Sequence, residues 1–114
     1  MQHATAARAY SSASALRSVR EQQADVFRRV NGALKAALSG DSLTRARAVA
    51  DNRLLWITLI DLLNDPENPL PVETRAALIS VGLAVQRNME RDPPDFAFLV
   101  AVNENIAAGL AGEA

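Results

Sequence analysis

The sequence predicts an all-α fold, a small single-domain helical bundle of about four helices. Alanine is the commonest residue and β-branched residues are few, a composition that favours helix over strand. Clusters of breaking residues at 39–41, 65–71 and 92–95 leave four segments of helical length between them. A chain of 114 residues is the size of one domain. Four such segments with short connections are typical of a compact bundle.

The first segment spans residues 12–38 and is predicted to follow a flexible tail of residues 1–11, so the domain itself occupies residues 12–114. Serines at its start are candidate N-caps, and Ser18 with Glu21 three residues later forms a capping box. Apolar residues recur along the segment at steps of three and four, with an interruption at Gln23: Leu16, Val19, Val26, Val30, Ala33 and Ala37. Phe27, Leu34 and Leu38 widen this stripe into a face. This spacing predicts an amphipathic helix with one buried face.

The second segment begins with Asp41 or Ser42 as N-cap and runs to about Asn64. Residues 54–63 are apolar nearly all round, and seven such residues would also fit a buried strand. They continue a helical run without any turn residue, and no partner strand is visible in the sequence. We therefore predict a helix.

The third segment has Pro71 in its first turn and extends to about Arg91. It carries two apolar stripes, one of Val72, Ala76, Ile79 and Leu83 and the other of Leu78, Val81 and Val85. Two apolar faces predict a central position in the bundle. Gly82 in mid-helix costs about 1 kcal/mol relative to alanine, and we expect close approach of another helix to compensate.

The fourth segment runs from about Asp95 to Leu110, and Gly109 and Gly112 end it. Its apolar residues lie on one side: Phe96, Leu99, Val102, Ile106 and Leu110. Like the first segment, it therefore predicts a helix with a single buried face.

Composition excludes several classes of chemistry. The chain has no cysteine, which removes disulfides, thiolate metal sites and cysteine nucleophiles, and its single histidine is His3. No glycine-rich phosphate loop is present. The acidic residues around Glu67 superficially resemble a calcium loop, but two prolines and no glycine remove the necessary backbone geometry. Asp61 and Asp65 could pair for acid–base work, although the solvated end of a helix is the favoured interpretation. We expect no catalytic residue, cofactor or metal, and no enzyme.

The charge distribution is asymmetric. Residues 1–53 carry nine basic and four acidic side chains, a net charge of +5, whereas residues 54–114 carry three and nine, a net charge of −6. Basic residues including Arg45, Arg47 and Arg53 could contact phosphates, but aromatic residues between them are missing, so nucleic acid is an unlikely partner. Two oppositely charged halves folding against each other is the favoured interpretation. The longest apolar stretch is far too short to span a membrane.

Five short patterns occur in a characteristic order: residues 52–56, 65–71, 79–83, 95–96 and 99–110. Together they resemble the flagellar FlaF family, and the similarity covers about residues 41–112. The residues that carry it are Asn52, Arg53, Leu54, Trp56, Asn68, Leu70, Pro71, Gly82, Phe96, Asn103, Gly109 and Leu110.

The resemblance implies a cytoplasmic, non-enzymatic protein that binds flagellin before secretion and promotes its synthesis or export, as a chaperone or adaptor. A second flagellar regulator, FlbT, is implied as a further partner. The alternative is a post-transcriptional regulator of flagellin mRNA, acting directly or through a partner regulator.

Capture of a terminal amphipathic helix of flagellin is the mechanism we infer, because an apolar groove can receive such a helix. The first and fourth helices are the expected groove walls, since their single apolar faces are the most easily left uncovered. The expected contact residues are Phe27, Val30, Leu34, Phe96, Leu99 and Ile106. The second and third helices are expected to be internal, with Trp56 in the core.

Overall fold

The computed structural model describes the backbone of residues 2–112 and the side chains of residues 6–11 and 19–112. Within this range the chain forms four helices and no strand: α1 (Gln2–Ala37), α2 (Ser42–Asn64), α3 (Val72–Met89) and α4 (Phe96–Leu110). The predicted all-α bundle is therefore confirmed.

Two helices begin where their caps predict. The backbone N–H of Thr44 donates to Asp41 Oδ1 at 2.8 Å and caps α2, and this hydrogen bond lowers the pKa of the Asp41 carboxyl. The N–H of Phe98 donates to Asp95 Oδ1 at 3.1 Å and caps α4. After α4, Gly112 takes a positive φ of 77°, which favours glycine, so both predicted ends of this helix are confirmed.

Helix α1 begins at Gln2, ten residues before the predicted start, so residues 2–11 are helical rather than an irregular tail. The serine side chains proposed as caps, Ser12, Ser14 and Ser18, lie outside the described side chains, as does that of Leu16. Every described side chain before Ala24 is exposed. We call residues 2–23 the arm; at a rise of 1.5 Å per residue it is about 33 Å long.

The arm makes the molecule elongated. Its extents are 61 × 26 × 22 Å, and its radius of gyration is 16.8 Å, against about 13 Å for a compact chain of this length. The packed domain is therefore built on the C-terminal half of α1.

Helix packing differs from the predicted arrangement. Helix α1 packs against α4 and α2, and α2 packs against α3. The core contains Phe27, Leu34, Ala37, Ala48, Val49, Trp56, Val85, Met89, Leu99 and Ala107. The prediction that α3 is central is wrong, because only one of its two apolar stripes faces this core.

Close approach of α2 to α3 at Gly82 is confirmed. A Cβ atom at Gly82 would lie 2.8 Å from Ile60 Cδ1 and 3.3 Å from Trp56 Cε3. The missing side chain lets α2 and α3 meet, which offsets the cost of glycine in mid-helix.

We predict that Gly82→Leu lowers the free energy of unfolding by about 1–3 kcal/mol or more, because the larger side chain forces α2 and α3 apart. Chemical denaturation measures the change. The matched control is Gly32→Ala in α1, where an added Cβ meets no atom within 4 Å. That substitution should stabilise the protein by about 0.5–1 kcal/mol through helix propensity. Equal stability of Gly82→Leu and the native protein would contradict close packing here.

Candidate protein-binding surface

The residues predicted to contact a partner lie mainly in the interior. Phe27 is 3% exposed, and Leu34 and Leu99 are 0% exposed. The other three, Val30, Phe96 and Ile106, are half-buried. The apolar faces of α1 and α4 cover each other, so the predicted open groove between these helices is wrong.

A small crevice remains along the α1–α4 contact. Its volume is about 360 Å³, and it is lined by Arg28, Asn31, Gly32, Lys35, Asn103, Glu104, Ala107 and Ala108. An ion pair between Lys35 and Glu104 bridges the two helices. Five of its eight lining residues carry charged or amide side chains and the others are glycine or alanine, so no large apolar side chain lines the crevice for an amphipathic helix to contact.

Beneath this crevice, buried amides connect three helices. Trp56 Nε1 of α2 donates to Asn103 Oδ1 of α4 at 2.9 Å, and Asn103 Nδ2 donates to Asn52 Oδ1 of α2 at 2.7 Å. Asn52 Nδ2 then reaches Met89 Sδ of α3 at 3.3 Å. Trp56, Asn52 and Asn103 are all 0% exposed. We call these four residues the polar relay.

The donor and the acceptor of every hydrogen bond in the polar relay follow from Trp56, its first member. An indole N–H can only donate, so Asn103 must present its oxygen to Trp56 and its nitrogen to Asn52. Asn52 accepts with its oxygen, so its own nitrogen must face the weak acceptor Met89 Sδ. The expected core position of Trp56 is confirmed, and Phe27 packs edge-on against it at a centroid distance of 5.8 Å.

Hydrogen bonds of Asn68 set the connection between α2 and α3. Its Nδ2 donates to the Leu62 carbonyl oxygen at 2.9 Å, and its Oδ1 accepts from the Leu70 N–H at 3.0 Å. Pro71 follows as the N-cap position of α3. This linker therefore holds the two helices in a defined hairpin.

The outer side of that hairpin carries exposed apolar side chains. On α2, Leu54 is 66% and Ile57 is 41% exposed; on α3, Val72 is 65% and Leu83 is 45% exposed, and Ile79 is half-buried. We call these five residues the α2–α3 face. Ile57 lies one turn before Ile60, and Ile79 one turn before Gly82, so they flank the α2–α3 contact on its solvent side.

The face arises because α3 is an edge helix. Its stripe of Leu78, Val81 and Val85 faces the core, whereas the stripe containing Val72 and Leu83 has no described helix above it. Exposed apolar side chains grouped on neighbouring helices are a candidate protein interaction site. Both stripes are visible in the sequence, but the expectation that both are buried is wrong, since Val72 and Leu83 are exposed. A helix with two apolar faces was the feature of the sequence that could have indicated an exposed one.

The charges around the α2–α3 face are unequal at its two ends. Near the linker, Asp61 and Glu73 are exposed, as are Asp65 and Glu67. Arg53 lies toward the other end, where Arg87 of the antiparallel α3 is also exposed. A partner therefore meets these four carboxylates near the linker, beside Arg75, whose guanidinium donates to the Asp65 carbonyl oxygen at 3.3 Å, and meets Arg53 and Arg87 toward the opposite end.

The arginines considered for phosphate contact are partly engaged within the domain. Arg45 donates from Nε to the Ala37 carbonyl oxygen at 3.2 Å and from Nη2 to that of Leu38 at 2.9 Å. These bonds satisfy carbonyl groups at the C-terminus of α1. Arg28 approaches Asp25 at 3.6 Å. A continuous phosphate-binding stripe is not formed by these residues.

Two further observations concern the described part of the chain. It contains no group of three acidic, histidine or cysteine side chains placed to hold a metal ion. None of the helices found there has both the length and the apolar character needed to cross a membrane.

We predict that Asn103→Asp destabilises the protein at neutral pH, because a carboxylate keeps the acceptor for Trp56 but cannot donate to Asn52. Burial raises the pKa of such a carboxyl, so the protonated form is favoured on folding. The loss relative to the native protein should therefore be smaller near pH about 4 than near pH about 7, and a value of about 3 kcal/mol is expected at neutral pH. Denaturation of both proteins at the two pH values tests this, and a pH-independent difference would contradict the burial of this side chain in the polar relay.

Comparison with known proteins identifies the chain's relationship. The family model described as flagellar protein FlaF matches residues 6–110, nearly the whole chain. No curated protein and no solved structure matches the chain. The match includes the polar relay, the α2–α3 linker and Gly82. The chain belongs to the FlaF family of flagellar proteins.

Proposed function

We propose that this flagellar protein binds flagellin in the cytoplasm before secretion, as an export chaperone or adaptor, and thereby promotes flagellin synthesis or export. The bound segment is a terminal amphipathic helix of flagellin, and the binding site is the α2–α3 face. The activity is binding alone and requires no catalytic group. The FlbT regulator implied by the family resemblance is proposed as a further partner.

The uncovered apolar stripe of α3 is the observation that supports this proposal most strongly. An amphipathic helix laid on a helical hairpin buries its apolar residues against those of the hairpin. Val72 and Leu83 stand 11 residues apart on α3. That separation corresponds to about 16 Å of helix, or three turns, which is sufficient for several anchor residues of a partner.

The proposed site therefore lies on α2 and α3, and not on α1 and α4, which the sequence had indicated. Phe27 and Leu34 are needed inside, where Phe27 contacts Trp56. Replacing Phe27 by alanine would act first on stability, by about 3–5 kcal/mol. A residue that serves mainly to contact a partner can be replaced without unfolding the domain, and the exposed residues of the α2–α3 face meet that requirement.

The alternative, a regulator that contacts flagellin mRNA, receives less support. RNA-binding surfaces combine basic side chains with aromatic rings that stack on bases. Arg45 is committed to the end of α1, and the α2–α3 face carries no aromatic residue. Apolar contact with a protein is therefore the favoured mode.

We predict that Ile57→Gln combined with Leu83→Gln weakens flagellin binding at least tenfold, because each change removes apolar contact worth about 1 kcal/mol or more. Isothermal titration calorimetry with purified flagellin measures the dissociation constant. Both positions are exposed, so the free energy of unfolding should change by no more than about 0.5 kcal/mol per site.

The matched control is Leu38→Gln, since Leu38 is 55% exposed but lies at the end of α1, away from the α2–α3 face. It should leave binding unchanged. Raising salt from about 0.05 to about 0.5 M should weaken the complex little, whereas a complex held by phosphate contacts would lose several orders of magnitude. Absence of flagellin binding by the folded native protein, or tight salt-sensitive RNA binding instead, would refute the proposal.

A further inference from the structure

The arm is a long helix whose described side chains are not buried against its own domain. All its described side chains, those of residues 6–11 and 19–23, are exposed, including Tyr10 at 72% and Val19 at 49%. Most helical stability in proteins comes from packing an apolar face, and these exposed side chains do not pack in that way within the domain. An arm of about 33 Å therefore has a physical reason to lie against another surface.

Charge restricts which surface that can be. The arm contains three arginines, Arg8, Arg17 and Arg20, and one acidic residue, Glu21, so its net charge is +2. Two arms laid side by side would repel each other, because like charges on neighbouring helices are unfavourable. An acidic surface with apolar residues beside it is the complementary target.

The linker end of the α2–α3 face has that composition. Asp61 and Glu73 are exposed there beside Val72 and Ile79, and the structure gives neither carboxylate an ion-pair partner among the described side chains. The arm presents the opposite charge and contains alanines, Tyr10 and Val19 as apolar contacts. The two surfaces therefore complement each other in charge and in apolar character.

We propose that a second copy of this chain is an occupant of the α2–α3 face: the arm of one copy lies across the face of the other, and the exchange is reciprocal. Each arm has a footprint of about 33 by 10 Å, so two reciprocal contacts bury roughly 1,300 Å² when both partners are counted. That area is at the lower end of the range of about 1,200–2,000 Å² for specific interfaces and fits a weak, reversible dimer. The dimer covers the face proposed for flagellin, so the two associations compete.

The test uses the full chain alone, without flagellin, so its outcome is separate from that of the proposed function. Sedimentation equilibrium at low salt should show the mass rising with concentration from 12.2 kDa toward twice that value. A dissociation constant of about 10–100 μM is expected for an interface of this size and polarity, and salt should weaken it.

Charge reversal then identifies the surfaces. The arm variant Arg8→Glu with Arg20→Glu and the face variant Asp61→Arg with Glu73→Arg should each dissociate at least tenfold more readily. An equimolar mixture of the two variants should regain association, because each arm in the heterodimer then meets a face of opposite charge. The control Arg29→Glu reverses an exposed charge of α1 outside the arm and should leave the dimer unchanged.

Three results would overturn the proposal: a native protein that stays monomeric at about 500 μM and low salt, an arm variant that associates as tightly as the native chain, or a mixture that remains monomeric. Circular dichroism of each variant verifies that the helices are retained. Flagellin binding without self-association would leave the proposed function intact and remove only this inference.

Discussion

The indole N–H of Trp56 is the group on which the arrangement of helices depends. It is fully buried and can only donate, so it must find an acceptor inside the domain, and Asn103 Oδ1 supplies one at 2.9 Å. That single bond orients both amides of the polar relay and ties α4 to α2. Because an unpaired buried donor costs about 1–3 kcal/mol, any arrangement that withdraws α4 from α2 is penalised at this point. The apolar faces of α1 and α4 are therefore closed on each other, and the surplus apolar surface appears on the α2–α3 hairpin.

Several of the residues that carry the family resemblance fall into two groups in the structure. Asn52, Trp56, Gly82 and Asn103 build the interior, and Asn68 sets the connection between the helices of the hairpin. Arg53 and Leu54, by contrast, are exposed, with Leu54 at 66%, and no core contact accounts for them. They lie on or beside the α2–α3 face, where the proposed partner would contact them. Gly109 remains without a packing explanation, since an added Cβ there would meet nothing within 4 Å.

Helix positions were predictable because their signals are local. Caps at Asp41 and Asp95, and the breaks that follow Asn64 and Met89, are set by residues adjacent in sequence. The close approach at Gly82 was predictable too, since glycine in mid-helix is costly without one. The partner-binding surface was not predictable, because an apolar stripe in the sequence indicates a preference for burial but does not indicate which helix covers it. Both α4 and α3 carry such stripes, and which of them is covered depends on contacts between residues far apart in sequence, such as the Trp56–Asn103 bond, whose residues are 47 apart. The start of α1 was predicted too late because Ser12, Ser14 and Ser18 resemble N-caps in the sequence, whereas the backbone is already helical from Gln2.

We propose that flagellin binds to the α2–α3 face while α1 and α4 stay packed against each other. Methyl-resolved nuclear magnetic resonance of the full chain, titrated with flagellin, tests it most directly, because the two surfaces carry different leucine and isoleucine residues. The account predicts that the methyl signals of Leu54, Ile57, Ile79 and Leu83 shift, while those of Leu34 and Leu99 keep their positions. Shifts concentrated at Leu34, Leu99 and Ile106, with Ile57 and Leu83 unaffected, would show that the partner opens the α1–α4 contact and would contradict the account.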